Sequence, residues 1–344
     1  MNLPVLDPLP IDEAPREGPL IDTFGRIHNN LRISVTDRCN LRCTYCMPEE
    51  VAFMDKRELL SFEEIARFVK AVAPLGINKV RLTGGEPLMR RELPRLVSML
   101  SEIPGIHDVG LTTNGILLAP SAQALFDAGL RRINISLDTL NHEHFRQLTR
   151  RDGLDDVIAG IHAAKQAGFH PIKINAVSIR GITEHEVIPL ARFARQHHLE
   201  MRFIEYMPIG ADLWERDKVY FGREILDQIE THIGALAPAA KYDPKAPAQD
   251  FDYIDGGGRV GIIASVSRPF CMSCNRLRLT AEGRLRNCLF ALTEIDLKPM
   301  LRGKTSQDEI AAIVRGNVWQ KWEGHEINTA RFMKPDRTMH AIGG

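Results

Sequence analysis

The chain has 344 residues, of which 44% are hydrophobic and 26% charged, and its 44 lysines and arginines are balanced by 44 aspartates and glutamates. That balance excludes a disordered polymer and a general nucleic-acid binder, so any anion site must be a local gathering of positive charge. No apolar run approaches the ~18 residues that would suggest a membrane span, so neither nucleic acid nor membrane is expected as a partner.

The opening MNLPVLDPLPIDEAPREGPL carries five prolines and four acidic residues. It has no basic n-region or apolar h-region, which argues against a signal peptide, and residues 1–21 read as a flexible N-terminal arm. Beyond it, short β-branched runs alternate with helical patterns. The predicted strands are LRISVT (31–36), KVRLTGG (79–85), DVGLTTNG (108–115), RINISLDT (132–139), PIKINAVSI (171–179) and EMRFIEYMP (200–208). Between them, SFEEIARFVKAVAPLG, LDDVIAGIHAAKQAG and EHEVIPLARFARQHH place apolar residues at helical spacing. Ser61 with Glu64 forms the pattern of a capping box.

Strand–helix–strand repeats with right-handed crossovers make a parallel sheet. Six repeats fit a doubly wound sheet or an incomplete barrel. Polar residues gather at the C-terminal ends of the strands: Gly84-Gly85-Glu86, Thr112-Thr113-Asn114, Ser136 and Asp138, Lys173 and Asn175, Glu205 to Met207. That rim pattern favours a barrel over a Rossmann sheet, which needs one Gly-rich turn at one switch point. After about residue 235 the rhythm weakens. KYDPKAPAQD reads as a linker or loop, DYIDGGGRVGIIASVS as strands, and RLRLTAEGRLRNC as a hairpin around Ala281-Glu282-Gly283. The expected architecture is therefore α/β: an incomplete (β/α)6 TIM-type barrel over 22–240, then a smaller C-terminal region over 241–344.

The six cysteines fall into two groups, Cys39, Cys43, Cys46 and Cys271, Cys274, Cys288. Disulfide frameworks belong to small secreted domains. Thiolates holding metal in a reducing compartment fit better, so a cytoplasmic location is expected. Three thiolates are one short of closing a structural zinc site or an ordinary ferredoxin cluster. A four-iron cubane with three cysteines leaves one iron open to a ligand, and zinc completed by a borrowed ligand is the alternative at either trio. In the hairpin, Arg276 and Arg278 share one face and Leu277 and Leu279 the other. The two guanidiniums form either a cradle for a polyphosphate beside the second trio or a solvated edge strand. Lys173, between Ile172 and Ile174, would point into the bowl and need an anionic partner there.

The segment CNLRCTYC resembles the signature of the radical S-adenosylmethionine family, and Gly84-Gly85-Glu86-Pro87 is similar to that family's methionine-binding segment. From residue 22 onward the chain resembles the GTP 3′,8-cyclase family of molybdenum cofactor biosynthesis. The likeness runs through RLTGGEPLMRR, LTTNG, ISLDTL, EYMPIG, CMSCNRLRLTAEGRLRNCL and a Gly-Gly tail. The resemblance implies two 4Fe-4S clusters, on Cys39, Cys43, Cys46 and on Cys271, Cys274, Cys288. It implies that the first chelates S-adenosylmethionine, contacted also by Tyr45, Gly85, Ser136 and Met207. One electron then cleaves the sulfonium to a 5′-deoxyadenosyl radical, which takes hydrogen from C3′ of GTP so that C3′ joins C8, giving 3′,8-cyclo-7,8-dihydro-GTP. Arg32, Arg81, Thr112, Lys173 and the Arg276-Leu277-Arg278 segment are implied to bind GTP, with Arg276 and Arg278 also serving catalysis and the guanine meeting the second cluster's open iron. The implied partners are a reductant such as a flavodoxin or ferredoxin, a downstream cyclic pyranopterin monophosphate synthase, and a second copy in a homodimer. The same motifs leave two other readings to test: a radical enzyme that modifies peptides, and a non-enzymatic iron–sulfur or zinc protein.

Overall fold

A computed structural model describes residues 5, 6, 13–210 and 213–343. Its strands are β1 (Val5–Leu6), β2 (Asn30–Ser34), β3 (Lys79–Thr83), β4 (Asp108–Thr113), β5 (Arg132–Ser136), β6 (Ile172–Ser178), β7 (Glu200–Glu205), β8 (Leu236–Pro238), β9 (Gln249–Tyr253), β10 (Arg259–Ile263), β11 (Arg276–Leu279), β12 (Arg284–Arg286) and β13 (Glu294–Asp296). They form one sheet in the order β1-β13-β12-β11-β2-β3-β4-β5-β6-β7-β10-β9-β8. The stretch from β11 through β2–β7 to β10 is parallel throughout. The two ends of the sheet do not pair with each other, so the barrel is partial, as the six repeats predict.

The six predicted strands are β2 to β7. The C-terminal residues add to both edges of this sheet: β10 pairs with β7, and β11 pairs with β2. The hairpin predicted around Ala281-Glu282-Gly283 is β11–β12, antiparallel with Arg278 opposite Arg286. Val5–Leu6 of the N-terminal arm pair with Glu294–Ile295 of β13. The base of the arm is also tied down, since Leu20 is fully buried and Arg315 Nη2 donates to Gly18 O at 2.6 Å.

The helices are α1 (Phe62–Val72), α2 (Leu93–Ser101), α3 (Ala122–Asp127), α4 (His142–Thr149), α5 (Leu154–Gln166), α6 (Val187–Gln196), α7 (Gly222–His232), α8 (Lys298–Arg302), α9 (Gln307–Trp319) and α10 (Met339–Ile342). The capping box opens α1 as predicted: Ser61 Oγ accepts from Glu64 N at 3.1 Å and Glu64 Oε2 accepts from Ser61 N at 2.7 Å. Ile65, Phe68, Val69 and Val72 then line one face and pack in the same core as Leu31, Ile33, Val80 and Leu82 of the sheet. Each such side chain contributes about 1.5–3 kcal/mol on burial.

Strand alternation does the rest. While Leu31 and Ile33 of β2 pack into the hydrophobic core, Arg32 must face the other way. The register sets Arg278, Arg32 and Arg81 side by side on three neighbouring strands. The polar face of the sheet thus becomes the wall of a cavity.

Candidate active site

That cavity has a volume of about 350 Å³. Cys39, Cys43 and Cys46 line one part of its wall, together with Tyr45, Gly85, Ser136 and Met207. Arg32, Arg81, Thr112, Arg276 and Arg278 line it as well. Phe270, Asn275 and Leu289 also contribute, each one residue from a cysteine of the second trio. Two expected residues stand apart. Leu277 is fully buried in the hydrophobic core, so only its backbone could serve a ligand. Lys173 Nζ lies 2.6 Å from Glu200 Oε2, the anionic partner that its buried position demands, and it does not line the cavity.

The first cysteine loop is held by its neighbours' backbones. Arg42 N and Thr44 N donate to Thr149 O and Leu148 O at the end of α4, each at 2.9 Å. Gly85 N donates to Thr36 O at 2.8 Å and Glu86 N to Arg38 O at 2.7 Å. Gly84 and Gly85 are needed for this close approach: a Cβ on Gly85 would lie 2.6 Å from Asp37 O and closer still to Arg38 O. Glu86 is buried and locks the next strand in place, accepting from Thr113 Oγ1 and Asn114 N, both at 2.7 Å. Burial pushes its carboxyl up to about 7. Asn114 in turn donates to Asn40 Oδ1 at 2.8 Å and reaches Cys39 Sγ at 3.8 Å. Tyr45 donates its hydroxyl to Asp138 Oδ2 at 2.5 Å.

The two trios differ electrostatically. Burial raises the Cys39 thiol to about 11 and carries Cys43 well above the ordinary thiol range. At Cys274 burial also raises the thiol, but Arg276 and Lys321 outweigh it and bring it down to about 6. Lys321 is buried and donates to Cys274 Sγ at 3.4 Å and Arg276 O at 2.9 Å. Arg26 clamps the start of the same loop, donating to Cys271 O at 2.8 Å, Glu323 O at 2.7 Å and Trp322 O at 2.5 Å.

Both trios fit a multinuclear cluster better than one zinc ion. Bonds of ~2.3 Å to a single tetrahedral zinc bring sulfurs to roughly 3.8 Å of one another. Among the described residues, the only ligating group gathered closely enough for one ion lies elsewhere in the molecule. N–H donors directed at Cys39 Sγ and Cys274 Sγ suit cluster thiolates, whose potentials respond to such bonds.

The arginines give the cavity its anion chemistry. Burial lowers Arg81 to about 10 and Arg278 to about 9. It also pulls Arg32 well below its ordinary value, helped by Arg278, Arg276 and Arg81. Arg32 Nε and Arg276 Nε and Nη2 are buried donors without a hydrogen-bond partner. Unpaired buried donors of one charge are costly in isolation and call for an anion. Gly110 makes this possible, since its absent side chain leaves room for the Arg81 guanidinium, whose nearest atoms would lie 3.1 Å from a Cβ. Sequence reasoning missed Gly110, Lys321, Arg26 and the wall residues Asp243, Lys245, Ala246 and Pro247 of the supposed linker. The C-terminal tail enters the same space: Met339 and His340 of α10 line the cavity, and Gly343 O accepts from buried Arg278. Gly344 lies outside the described residues.

Known proteins resemble this chain over nearly its whole length. Residues 33–194 match the Radical SAM superfamily and residues 199–327 match Molybdenum Cofactor Synthesis C. Curated GTP 3′,8-cyclases are 46% identical in Rhodopirellula baltica, covering 94% of this chain and 92% of that protein, and 47% identical in Streptomyces coelicolor, covering 96% and 98%. Among solved structures, SuiB of Streptococcus suis bound to S-adenosylmethionine superposes with a TM-score of 0.58 at 15% identity, over 84% of this chain and 68% of its own. That likeness concerns the fold alone. With near-complete coverage at this identity, the chain belongs to the GTP 3′,8-cyclase family of the radical S-adenosylmethionine superfamily.

Proposed function

We propose that this enzyme converts GTP to 3′,8-cyclo-7,8-dihydro-GTP, an early step of molybdenum cofactor biosynthesis. The observation that carries the reading is the juxtaposition, around one cavity, of a three-cysteine loop and a wall of arginines in which Arg32 and Arg276 keep buried donors without a hydrogen-bond partner. A 4Fe-4S cluster on Cys39, Cys43 and Cys46 would supply, to bound S-adenosylmethionine, the electron that yields a 5′-deoxyadenosyl radical. The chain's own residues bind and orient. Tyr45, Gly85, Ser136 and Met207 surround the S-adenosylmethionine. Arg32, Arg81, Arg276 and Arg278 hold the triphosphate by charge-assisted hydrogen bonds, and Thr112 adds a hydroxyl. Lys173 joins them only by releasing Glu200. Arg276 and Arg278 also serve the later reduction. Holding the ribose against the adenosyl carbon is the chain's main contribution to rate, because positioning alone can supply several kcal/mol.

Cys271, Cys274 and Cys288 would hold a second 4Fe-4S cluster whose open iron takes the guanine, with Lys321 and Arg26 fixing the loop. A reductant such as a flavodoxin or ferredoxin, a downstream cyclic pyranopterin monophosphate synthase, a reducing cytoplasmic setting and a homodimer complete the proposal. Reduced, reconstituted protein incubated with S-adenosylmethionine and GTP tests it by chromatography. Cyclised GTP alongside 5′-deoxyadenosine is expected. Cys43→Ala should abolish cleavage of S-adenosylmethionine, whereas Cys274→Ala should spare uncoupled cleavage and abolish cyclisation. Cyclisation retained by both variants would refute the two-cluster assignment.

A further inference from the structure

Outside the cavity, three ligating side chains from the segments that follow β5 and β6 converge: His144, His185 and Glu186. His144 belongs to the first turn of α4, and His185 and Glu186 immediately precede α6. His144 Nδ1 lies 2.8 Å from Glu186 Oε1, His185 Nε2 lies 3.2 Å from His144 Nδ1, and His185 Nε2 lies 3.5 Å from Glu186 Oε1. These three atoms form a closed triangle. Bonds of ~2.1 Å to a tetrahedral ion set its ligand atoms roughly 3.4 Å apart, which is the scale of this triangle.

The surroundings suit a cation. The Glu186 side chain is only 5% exposed, while His144 and His185 are 39% and 51% exposed and leave an approach from solvent. Thr139 Oγ1 donates to the same Glu186 Oε1 at 2.7 Å, an outer contact of the kind that fixes a ligating carboxylate. If both imidazole nitrogens donate to Glu186 Oε1, their two N–H groups also face each other at 3.2 Å with no acceptor between them. A metal ion takes all three lone pairs at once.

We infer that His144, His185 and Glu186 form a mononuclear site for a late first-row divalent cation, such as zinc, with the outward coordination position left to water. Two nitrogens and one carboxylate oxygen are the donor set that such ions take. The site joins α4 to the segment leading into α6. Because the far end of α4 holds Arg42 N and Thr44 N of the cysteine loop, a bound ion braces that loop's support from outside the cavity.

Zinc chloride tests this on the cluster-loaded protein under anaerobic conditions. After equilibration with buffered zinc and removal of free metal, zinc and iron are counted in the same samples. Wild type is expected to retain one zinc per chain beyond that kept by the double variant His144→Ala with His185→Ala, at equal iron content. Both histidines are partly exposed, so this variant should fold. Glu186→Gln should lose the zinc as well, and Thr139→Val should weaken binding about tenfold, the lower end for an outer-contact partner. Zinc should raise the melting temperature of wild type and leave that of the double variant unchanged. Equal zinc uptake by wild type and the double variant at matched iron would overturn the site, as would a melting shift of the same size in both.

Discussion

Replacing Gly85 by alanine separates two roles of the Gly-Gly-Glu segment, contact with a ligand and support of the cysteine loop. No positive backbone angle is involved, so the perturbation is purely one of space. The new Cβ would sit 2.6 Å from Asp37 O and closer to Arg38 O, and both neighbours are backbone, with no flexible tip to swing aside. Overpacking of this kind costs about 1–3 kcal/mol. Separating the two loop segments beyond β2 and β3 to relieve it would break the bonds Gly85 N to Thr36 O and Glu86 N to Arg38 O, at about 1 kcal/mol each. The sum, about 3–5 kcal/mol, falls on the segment that carries Cys39. Iron and melting temperature of anaerobically reconstituted protein are the readouts. With the two clusters proposed above, Gly85→Ala should lose roughly half its iron, and it should melt earlier. Gly234→Ala is the control, because no atom lies within 4 Å of its Cβ position, and it should stay within about 0.5 kcal/mol of wild type. Wild-type iron and melting in Gly85→Ala would refute the reasoning.

Arg26→Ala removes three bonds to Cys271 O, Trp322 O and Glu323 O and leaves Asp22 buried without its guanidinium. Breaking such a pair costs about 3–5 kcal/mol, so thermal melting should drop and iron should be lost from the second trio first. His28 is fully buried, and burial holds it down at about 4, below its ordinary 6.5. Its contribution is therefore complete above about pH 6.5 and fades as pH falls through about 4, by about 3 kcal/mol in all; denaturant titration across that window should show a flatter profile for His28→Gln. Arg276→Ala should weaken equilibrium GTP binding by about 1.5–3 kcal/mol, the range for a hydrogen bond to a charged group. Unchanged affinity would return this arginine to the role of a strand-surface charge.

The residues that were legible from sequence are those whose signal is local. Alternation in LRISVT and KINAVS, the Ser61–Glu64 box and the turn at Glu282-Gly283 each report on neighbours a few positions away, and each lies where expected. The cysteine spacing is local too. What the sequence did not disclose depends on register between distant strands. Nothing in RLRL says that Arg278 stands beside Arg32, because β11 reaches β2 across more than two hundred residues of chain. Lys173 found its partner in Glu200 only because β6 and β7 align those two positions. Gly110 looks like a strand weakness until Arg81 is placed beside it, and Gly261 likewise stands opposite Arg202. Lys321 lies 47 residues from Cys274 in sequence, and no periodicity connects them. The stretch KYDPKAPAQD (241–250) carries only a compositional signal, which reports a lack of regular structure but neither the start of β9 at Gln249 nor which wall the loop completes.

The tail offers the sharpest case of a weak sequence signal acquiring a physical one. Terminal glycines ordinarily fray, since glycine loses more conformational freedom on ordering than any other residue. Gly343 is instead drawn inward: its carbonyl accepts from Arg278, a side chain only 5% exposed, and its φ is +82°. A Cβ there would meet Thr83 Oγ1 at 2.6 Å and Ser34 Cβ at 3.0 Å. A branched residue is therefore opposed twice, by the left-handed backbone and by the ends of β2 and β3. Each effect is worth about 1–3 kcal/mol, as strain and as overpacking. The bond to Arg278 holds Gly343 by about 1.5–3 kcal/mol, so the two opposing terms together rival it and act on this one residue, while Ile342 stays packed against Phe290 and Leu289. Gly343→Val should thus turn this residue away from its site and leave Arg278 without this partner, with α10 still seated through Ile342. The core sheet and both cysteine loops, which take no bond from Gly343 other than through Arg278, should keep their iron and melting temperature. Cyclisation of GTP should fall sharply, because Arg278 loses the contact that fixes its direction in the cavity. If Gly343→Val cyclised GTP at the wild-type rate with wild-type iron, the contact between the tail and Arg278 would be incidental to turnover.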